Sequence, residues 1–218
     1  MAEKIPGAIQ QRDKSRYAVV PRTPAGLMTA DQLEALAKAV RAYDIPIVKI
    51  TSGQRIALVG MTEDQLEPLW NDLGMDKGKA TELCVHYAQA CPGTETCKYG
   101  VGDSIALGLE LEKLFQGVDL PAKFKFGISG CPMCCGESYV RDFGAFAKKS
   151  GWTVIVGGNA GGRARIGDVL AEELSEEQVV DLARRCIDYY RENARKRERV
   201  SMFVSRVGVD AVKQAVLE

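Results

Sequence analysis

The sequence predicts an α+β fold, and three kinds of local pattern support this prediction. Runs rich in β-branched and aliphatic residues predict strands, and hydrophobic residues at helical spacing predict amphipathic helices. Capping-box signatures, in which Thr or Ser stands three residues before Gln, mark the start of three helices. Hydrophobic residues make up 46% of the 218-residue chain, which is enough to bury the core of one large or two small domains.

The first region, residues 1–75, is predicted to form one small domain with the element order β-α-β-β-α. The predicted strands and helices cover residues 16–23, 30–43, 45–52, 55–61 and 63–73. Thr29 and Thr62 begin the two capping boxes, and Gly74 is well placed to end the second helix. This order resembles half of a ferredoxin-like sandwich.

The second region, residues 76–218, is predicted to be a larger α+β domain that follows a linker at residues 76–81. Its predicted elements are a helix, three strands and two helices, over residues 102–115, 122–130, 138–147, 152–158, 176–196 and 207–217. Because side chains alternate along a strand, Lys123 and Lys125 are expected on one face of strand 122–130 and Phe124 and Phe126 on the other.

Charge and composition exclude several classes of protein. Lys plus Arg equals Asp plus Glu at 29 each, which argues against a general nucleic-acid or membrane-surface binder. Apolar runs such as "WTVIVGG" are too short to cross a bilayer, and "MAEKIPGAIQ" lacks the apolar stretch of a signal peptide. We therefore expect a cytoplasmic protein, in which clustered cysteines more often bind metal than form disulfides.

The seven cysteines divide into two kinds. Cys84 and Cys186 are expected to be small buried hydrophobic residues, and Cys186 lies on an apolar helix stripe. The other five form two groups flanked by Gly and Pro, "CPGTETCKYG" (91–100) and "SGCPMCCGES" (129–138). Packing alone does not explain this clustering.

Three kinds of site are compatible with the clustered cysteines. The C-x-x-C spacing of Cys131 and Cys134 is typical of zinc sites, but Cys91 and Cys97 stand farther apart than zinc ligands usually do. A redox-active C-x-x-C would leave that first pair unexplained. A 4Fe–4S cluster needs four thiolates, and two loops supply them, so the spacing favours a cluster over zinc.

Several motifs together resemble the sulfite and nitrite reductase haemoproteins. The pattern C-x5-C followed by G-C-P-x-x-C-G is similar to the signature of that family, which holds a 4Fe–4S cluster and a sirohaem. In chain order, further resembling segments are "PRTPAG", "ITSGQRIALVG", "LPAKFKFGISGCPMCCG" and "VGGNAGGRARIG". The chain looks most like small members that contain one half of the usual two-half enzyme.

The resemblance implies a set of site residues. The cluster ligands would be Cys91, Cys97, Cys131 and Cys135. Cys135 would also bridge the cluster to the sirohaem iron, whereas Cys134 would be an extra, non-ligating thiol. The anion-binding residues would be Arg22, Arg55, Lys123 and Lys125. The sirohaem would contact Thr51, Gln54, Arg55, Gly157, Gly158, Asn159, Arg163 and Arg165.

The resemblance also implies an activity, the six-electron reduction of sulfite to sulfide with a separate low-potential electron donor protein. Nitrite reduction to ammonia and a non-catalytic sirohaem or electron carrier are the alternatives. The protein is expected to be a monomer or a homodimer.

Simpler explanations exist for the residues outside the cysteine loops. Lys123 and Lys125 would also fit the solvent-facing side of a strand. The glycines of 157–162 would also fit a flexible hairpin. The basic segment 191–200 is typical of a solvated helix end, although it would also suit an acidic donor protein. His86 is the only histidine, so a multi-histidine metal site is excluded.

Overall fold

The computed structural model describes residues 5–218, in two compact units that meet in sequence at Thr81 and Glu82. Residues 1–4 lie outside the described residues. They are the start of the predicted first domain and of the segment "MAEKIPGAIQ", which was predicted not to be a signal peptide. Along residues 5–218 no helix is long and apolar enough to cross a membrane.

The first unit is a four-stranded antiparallel sheet with two helices. Its elements are β1 (Ala8–Gln10), β2 (Tyr17–Val19), α1 (Ala30–Ala42), β3 (Ile47–Ile50), β4 (Ile56–Met61) and α2 (Leu66–Leu73). The sheet order is β1-β2-β4-β3. One hydrophobic cluster joins the two helices to the sheet, with Leu36, Leu58, Leu69 and Trp70 among its buried residues. The predicted β-α-β-β-α order is therefore present, with β1 added before it.

The predicted helix starts of this unit are confirmed in detail. Both reciprocal hydrogen bonds of the capping box are present at Thr29 and at Thr62. The second helix begins as a 3-10 turn, Glu63–Gln65, before α2, and Gly74 ends it in the left-handed conformation at φ 58°. Local chemistry thus fixed these boundaries, because each cap satisfies backbone groups that the helix leaves unpaired.

The structure differs from the prediction at two places in this unit. The strand expected over 16–23 is only three residues long, because β2 ends before Pro21. The segment predicted as a linker, 76–81, is part of the first unit, and the Arg22 N–H donates to the carbonyl oxygen of Asp76 at 3.0 Å. A Cβ on Gly78 would lie 2.1 Å from the Val20 carbonyl oxygen, so only glycine permits this close packing.

The second unit is a five-stranded mixed sheet with four helices. Its elements are β5 (Val85–Ala90), α3 (Ser104–Phe115), β6 (Phe124–Ser129), β7 (Phe143–Lys148), β8 (Gly151–Val156), β9 (Asp168–Leu174), α4 (Glu176–Asn193), α5 (Val200–Val207) and α6 (Val209–Leu217). The sheet order follows the sequence; β5, β6 and β7 are parallel, and β8 and β9 continue antiparallel. Phe124, Phe126 and Phe143 are fully buried, as expected for one face of β6 and its neighbour.

The structure corrects four predictions in this unit. Residues 138–140 form a 3-10 turn, so β7 starts at Phe143. The strand β9 was missed because three of its seven residues are acidic, which hides the β pattern. The helix predicted over 176–196 ends at Asn193. The helix α5 was missed because no side chain caps its start, and Gly208 separates it from α6.

Cys84 and Cys186 are buried, as predicted. Trp70 and Trp152 are buried as well. His86 is also buried, with its Nε2 at 2.8 Å from the carbonyl oxygen of Glu82.

Candidate functional site

The two cysteine loops follow neighbouring parallel strands. The first loop, residues 91–102, leaves β5, and the second, residues 129–138, leaves β6; Ala90 pairs with Ile128 in the register. Because the carboxyl ends of parallel strands lie at one edge of a sheet, both loops emerge side by side. The Cys91 N–H donates to the Ile128 carbonyl oxygen at 3.1 Å, and the Gly130 N–H donates to the Cys91 Sγ at 3.1 Å.

Backbone contacts lock the two loops together. The Val101 and Gly102 N–H groups both donate to the Gly130 carbonyl oxygen, at 2.7 and 3.1 Å. A Cβ on Gly130 would lie only 2.5 Å from the Gly93 Cα, so neither loop could approach the other with a larger residue there. The Ser104 Oγ donates to the Cys91 carbonyl oxygen at 2.8 Å and ties the loops to the start of α3.

Three thiols, those of Cys91, Cys131 and Cys135, lie within electrostatic range of the Cys134 thiol. Cys91 and Cys131 are buried, Cys134 is half-buried and Cys135 is exposed. Burial, together with the neighbouring Cys131, Cys135 and Cys91, raises the pKa of the Cys134 thiol to about 11. Cys134 itself lies in a tight turn at φ 53°. The structure thus gathers the predicted ligands Cys91, Cys131 and Cys135 with the extra thiol.

The remaining predicted ligand, Cys97, lies in the first loop. Its N–H donates to the Gly93 carbonyl oxygen at 3.0 Å. Within residues 5–218, no three His, Cys, Asp or Glu side chains stand close enough to hold one metal ion. A 4Fe–4S cluster binds one thiolate on each iron, so its ligands stand farther apart than those of a single ion. Thiolate donors from two packed loops, with a backbone N–H directed at one sulfur, fit such a cluster.

The predicted lysines lie at the start of the strand that leads into the second cysteine loop. Lys125 belongs to β6, and Lys123 lies just before it; both are partly buried. The Lys125 ammonium lies 5.5 Å from the centre of the Tyr87 ring on β5, a cation–π distance. The Lys125 N–H donates to the Asp142 Oδ2 at 3.0 Å.

A buried arginine crosses the same face of the sheet. A Cβ on Gly127 would lie 2.5 Å from the Arg141 Cγ, so glycine leaves room for this side chain over β6. Arg141 then donates to Gln89 on β5 and to Glu137 in the second cysteine loop. Within the described residues, the buried Nε of Arg141 has no hydrogen-bond partner.

In the first unit, the structure brings together the "PRTPAG" segment and the "TSGQR" turn. The Thr23 Oγ1 donates to the Gln54 carbonyl oxygen at 3.1 Å, and a Cβ on Gly26 would lie 2.9 Å from the Gln54 Cβ. In the turn, the Arg55 N–H donates to the Thr51 Oγ1 at 3.2 Å. Two of the predicted segments are therefore neighbours within this unit.

The two predicted arginines of this unit differ in burial. Arg22 is partly exposed, and its guanidinium lies 3.3 Å from the Asp76 carboxylate. Arg55 is buried, and its Nη1 donates to the Lys79 carbonyl oxygen at 2.6 Å.

The loop between β8 and β9, residues 157–167, is held by its own side chains. The Asn159 amide donates to the Arg163 carbonyl oxygen at 2.7 Å, and its Oδ1 accepts from the Gly161 N–H at 3.2 Å. Arg165 donates to the Gly157 carbonyl oxygen at 3.0 Å and to the Asp168 carboxylate at 2.5 Å. Two predicted cofactor residues, Asn159 and Arg165, therefore also shape the loop.

Arg163 is the residue of this loop best placed for a ligand. Its side chain is exposed, and its guanidinium has no hydrogen-bond or ion-pair partner within residues 5–218. It borders an open cavity of about 550 Å³ between the loop and α5. The cavity is lined by Arg163, Ala164, Arg165, Ser201, Met202, Ser205 and Arg206. This lining suits an anionic group.

Sequence reasoning missed three buried or partly buried charged residues, Arg141, Asp142 and Arg199. Asp142 is only 1% exposed, and both of its carboxylate oxygens lie 2.9 Å from the Arg199 Nη2. The available signal was the Arg-Asp pair inside the strand predicted over 138–147. Two adjacent charges in a buried strand indicate specific partners, because an unpaired buried charge is costly.

Both units match known protein families. Residues 83–218 match the family described as "Nitrite and sulphite reductase 4Fe-4S domain". Residues 9–75 match the "Nitrite/Sulfite reductase ferredoxin-like half domain".

Two curated relatives illustrate the range of similarity. The assimilatory-type sulfite reductase of Nitratidesulfovibrio vulgaris is 57% identical over 217 residues, which cover all of both chains. The nitrite reductase [NAD(P)H] of Bacillus subtilis is 41% identical over 201 residues, 92% of this chain but 25% of that relative.

Two solved structures share the fold. Dissimilatory sulfite reductase I superposes with a TM-score of 0.82 at 17% identity, over 92% of this chain and 69% of the other. The NirA protein of Mycobacterium tuberculosis superposes with a TM-score of 0.82 at 16% identity, over 92% of this chain and 39% of the other.

Proposed function

The chain belongs to the nitrite and sulphite reductase family, and we propose that it reduces sulfite to sulfide with a 4Fe–4S cluster and a sirohaem. The similarity that best supports sulfite is the full-length match, at 57% identity, to an assimilatory-type sulfite reductase. The observation that carries the proposal is the junction at β6: one strand bears Lys125 and continues directly into the second cysteine loop. The proposed anion-binding group and the proposed cluster-binding loop therefore lie on one strand and its direct continuation.

The reaction itself shows why cofactors are needed. Reduction of sulfite, SO3²⁻ + 6 e⁻ + 6 H⁺ → S²⁻ + 3 H2O, requires six electrons, and no amino-acid side chain stores them. When bound, the cluster and the sirohaem supply these electrons at the reacting sulfur. The protein has to hold the cofactors, bind a small anion and deliver protons as oxygen leaves as water.

For the cluster, the proposed ligands are Cys91, Cys97, Cys131 and Cys135. The Gly130 N–H directed at the Cys91 Sγ would stabilise the thiolate and tune the reduction potential, as hydrogen bonds to cluster sulfurs do. Cys135 is the proposed link to the sirohaem, and its exposed side chain remains available for a second partner.

For the substrate, the proposed binding groups are Lys123 and Lys125, with Arg22 and Arg55 from the ferredoxin-like half. Fixed positive charge would stabilise the anion most where negative charge increases during the reaction. Lys125 is well suited to this role because its backbone is held by Asp142 and its ammonium by the Tyr87 ring.

For the sirohaem, whose periphery is rich in carboxylates, the proposed residues are those that the resemblance to the family implies. In the first unit they are Thr51, Gln54 and Arg55, and in the second Gly157, Gly158, Asn159, Arg163 and Arg165. Arg163 is the strongest member of this set, because its exposed guanidinium is not used elsewhere within residues 5–218. We further propose that a separate low-potential protein supplies the electrons in the cytoplasm, and that the enzyme is a monomer or a homodimer.

The test is anaerobic purification followed by absorption spectroscopy and turnover. We expect sirohaem Soret and Q bands, the iron and sulfide of one cluster per chain, and sulfide production from sulfite with reduced viologen as donor. A colourless protein with tightly bound zinc would contradict the cofactor proposal. Bound cofactors without turnover would instead identify a non-catalytic carrier.

Nitrite is the second candidate substrate. The Bacillus subtilis nitrite reductase is 41% identical to this chain over 201 residues, and one anion site can accept both ions. Steady-state rates with the two anions, measured on the same preparation, distinguish them: we expect kcat/KM to be larger for sulfite.

A further inference from the structure

Asp142 makes hydrogen bonds to three segments that are far apart in the sequence. Its Oδ2 accepts the Lys125 N–H on β6 at 3.0 Å. Its carbonyl oxygen accepts the Gly157 N–H at 2.9 Å, at the start of the loop between β8 and β9 (residues 157–167, called the glycine loop below). Both carboxylate oxygens lie 2.9 Å from the Nη2 of Arg199, which immediately precedes α5.

A carboxylate at this position costs folding free energy, which argues against a purely structural role. Asp142 is 1% exposed, and burying an ion costs free energy that pairing recovers only in part. An apolar residue of similar size often stabilises a fold at least as well as a buried ion pair. Within the described residues, the buried Nε of Arg199 is also without a hydrogen-bond partner. A buried carboxylate at this position is therefore better explained by the geometry that its hydrogen bonds fix than by a gain in stability.

The group whose geometry is fixed is Lys125. A hydrogen bond to its N–H holds the backbone of β6 at the residue whose ammonium lies over the Tyr87 ring. Arg199 and Lys125 both attract the Asp142 carboxylate electrostatically.

We propose that Asp142, with Arg199 as its counter-ion, is a positioning residue that orients Lys125 for anion binding. The inference rests on the proposed function, because it takes the substrate role of Lys125 as its premise. It adds two residues that touch neither the substrate nor a cofactor and act through a third.

A double-mutant cycle tests this inference. Asp142→Asn keeps an oxygen that can accept the Lys125 N–H but removes the charge. We expect it to lower kcat/KM for sulfite, normalised to the bound sirohaem, on the order of tenfold. A coupling of this size is typical of residues in one network. In a Lys125→Ala background the same substitution should cause no further loss, because the group that it positions is absent.

The control and the second variant come from the same unit. The control is Glu198→Gln, which removes the charge from the Glu198–Arg206 ion pair. This pair is comparable to Asp142–Arg199: the Glu198 side chain is 9% exposed, and the two arginine side chains are each 32% exposed. The Glu198 carboxylate accepts hydrogen bonds from Arg195 and Arg206, and its variant should keep sulfite kcat/KM within about twofold. Arg199→Gln serves if Asp142→Asn does not fold, since Arg199 lies partly at the surface.

The cycle distinguishes a failure of the proposed substrate role of Lys125 from a failure of the positioning role of Asp142. If Lys125→Ala alone leaves sulfite turnover unchanged, the proposed substrate role fails. If Lys125→Ala impairs turnover but the Asp142 and Arg199 variants do not, or if their losses multiply with that of Lys125→Ala, the positioning role is overturned. Sulfite-induced changes in the sirohaem spectrum give an affinity that is independent of turnover, and we expect weaker binding in Asp142→Asn and Lys125→Ala alike.

Discussion

The two cysteine loops and the glycine loop use the same residue type for different physical reasons. In the cysteine loops, a Cβ would lie 2.5 Å from a neighbouring atom at Gly93, Gly100, Gly102 and Gly130, and 2.0 Å at Gly136. In the glycine loop, a Cβ on Gly161 would come no closer than 3.3 Å, and one on Gly162 would meet nothing within 4 Å. The first set allows the protein to pack against itself, whereas Gly161 and Gly162 leave space.

This difference refines the interpretation of the "GGNAGG" motif. Gly157 requires a left-handed φ of 80°, and a Cβ on Gly158 would lie 2.4 Å from the Tyr139 carbonyl oxygen. Packing within the protein therefore accounts for two of the four glycines. Packing does not account for Gly161 and Gly162, so a close approach by a ligand is the better hypothesis for these two, in addition to the contacts proposed at Gly157 and Gly158.

The largest expected effect concerns the cysteine loops. Cys135→Ser should abolish the coupling between cluster and sirohaem or the whole centre, because Cys135 is the proposed shared ligand. Cys134→Ser should keep the full iron content, since the family spacing pairs Cys131 with Cys135. Iron and acid-labile sulfide assays with the absorption spectrum measure both outcomes.

Cys186→Ser is a suitable control, because this buried thiol lies on α4 away from either cysteine loop in sequence. If Cys134→Ser alone destroyed the cluster while Cys135→Ser retained it, the ligand assignment would have to be exchanged.

The second prediction alters the packing between the cysteine loops without removing a thiol. In Gly130→Ala the new methyl group would lie 2.5 Å from the Gly93 Cα and 2.7 Å from the Gly102 carbonyl oxygen. Because these are backbone atoms, a loop has to move, and we expect a loss of about 1–3 kcal/mol in the free energy of unfolding. Cluster content should fall with it, although all cysteines remain. Full iron content and unchanged stability would show that the loops are separable.

The sequence predicted local features better than long-range ones. Capping boxes, apolar stripes and the buried Cys186 depend on nearby residues, and each was predicted correctly. The short strand β1 and the acidic strand β9 become strands only through pairing with neighbours, so their own composition does not indicate them.

The same distinction applies to the candidate site. Cysteine spacing and the resemblance suggested the loops, and the structure places four of the five thiols together. No spacing rule connects Asp142 with Lys125, Gly157 and Arg199, because these contacts arise from the order of strands in the sheet. The direct roles of the ligands and lysines remain predictions.

A smaller effect should distinguish two arginines of the glycine loop. Arg165 bonds to the Gly157 carbonyl oxygen and to Asp168, so Arg165→Ala should lower the free energy of unfolding by about 1–2 kcal/mol. Arg163→Ala should change stability by less than about 0.5 kcal/mol, because its side chain is exposed. Denaturant unfolding measures this difference. Arg163→Ala should instead reduce the sirohaem content of the purified enzyme, and full occupancy would remove Arg163 from the cofactor site.

The smallest effect on stability is expected at Gly162. Its φ is not in the left-handed region, and no atom lies within 4 Å of the position that an added methyl group would take. Gly162→Ala should therefore leave the free energy of unfolding within about 0.5 kcal/mol of the wild-type value. If the glycine is there for a ligand, the same methyl group should nevertheless lower sirohaem occupancy, which the ratio of Soret to protein absorbance reports. Ala160→Gly, a change in the same exposed loop, controls for altered flexibility and should keep wild-type occupancy. Gly162→Ala with unchanged stability and unchanged occupancy would identify residues 161–162 as an ordinary hairpin tip, and the contrast with the cysteine loops would then reflect solvent exposure alone.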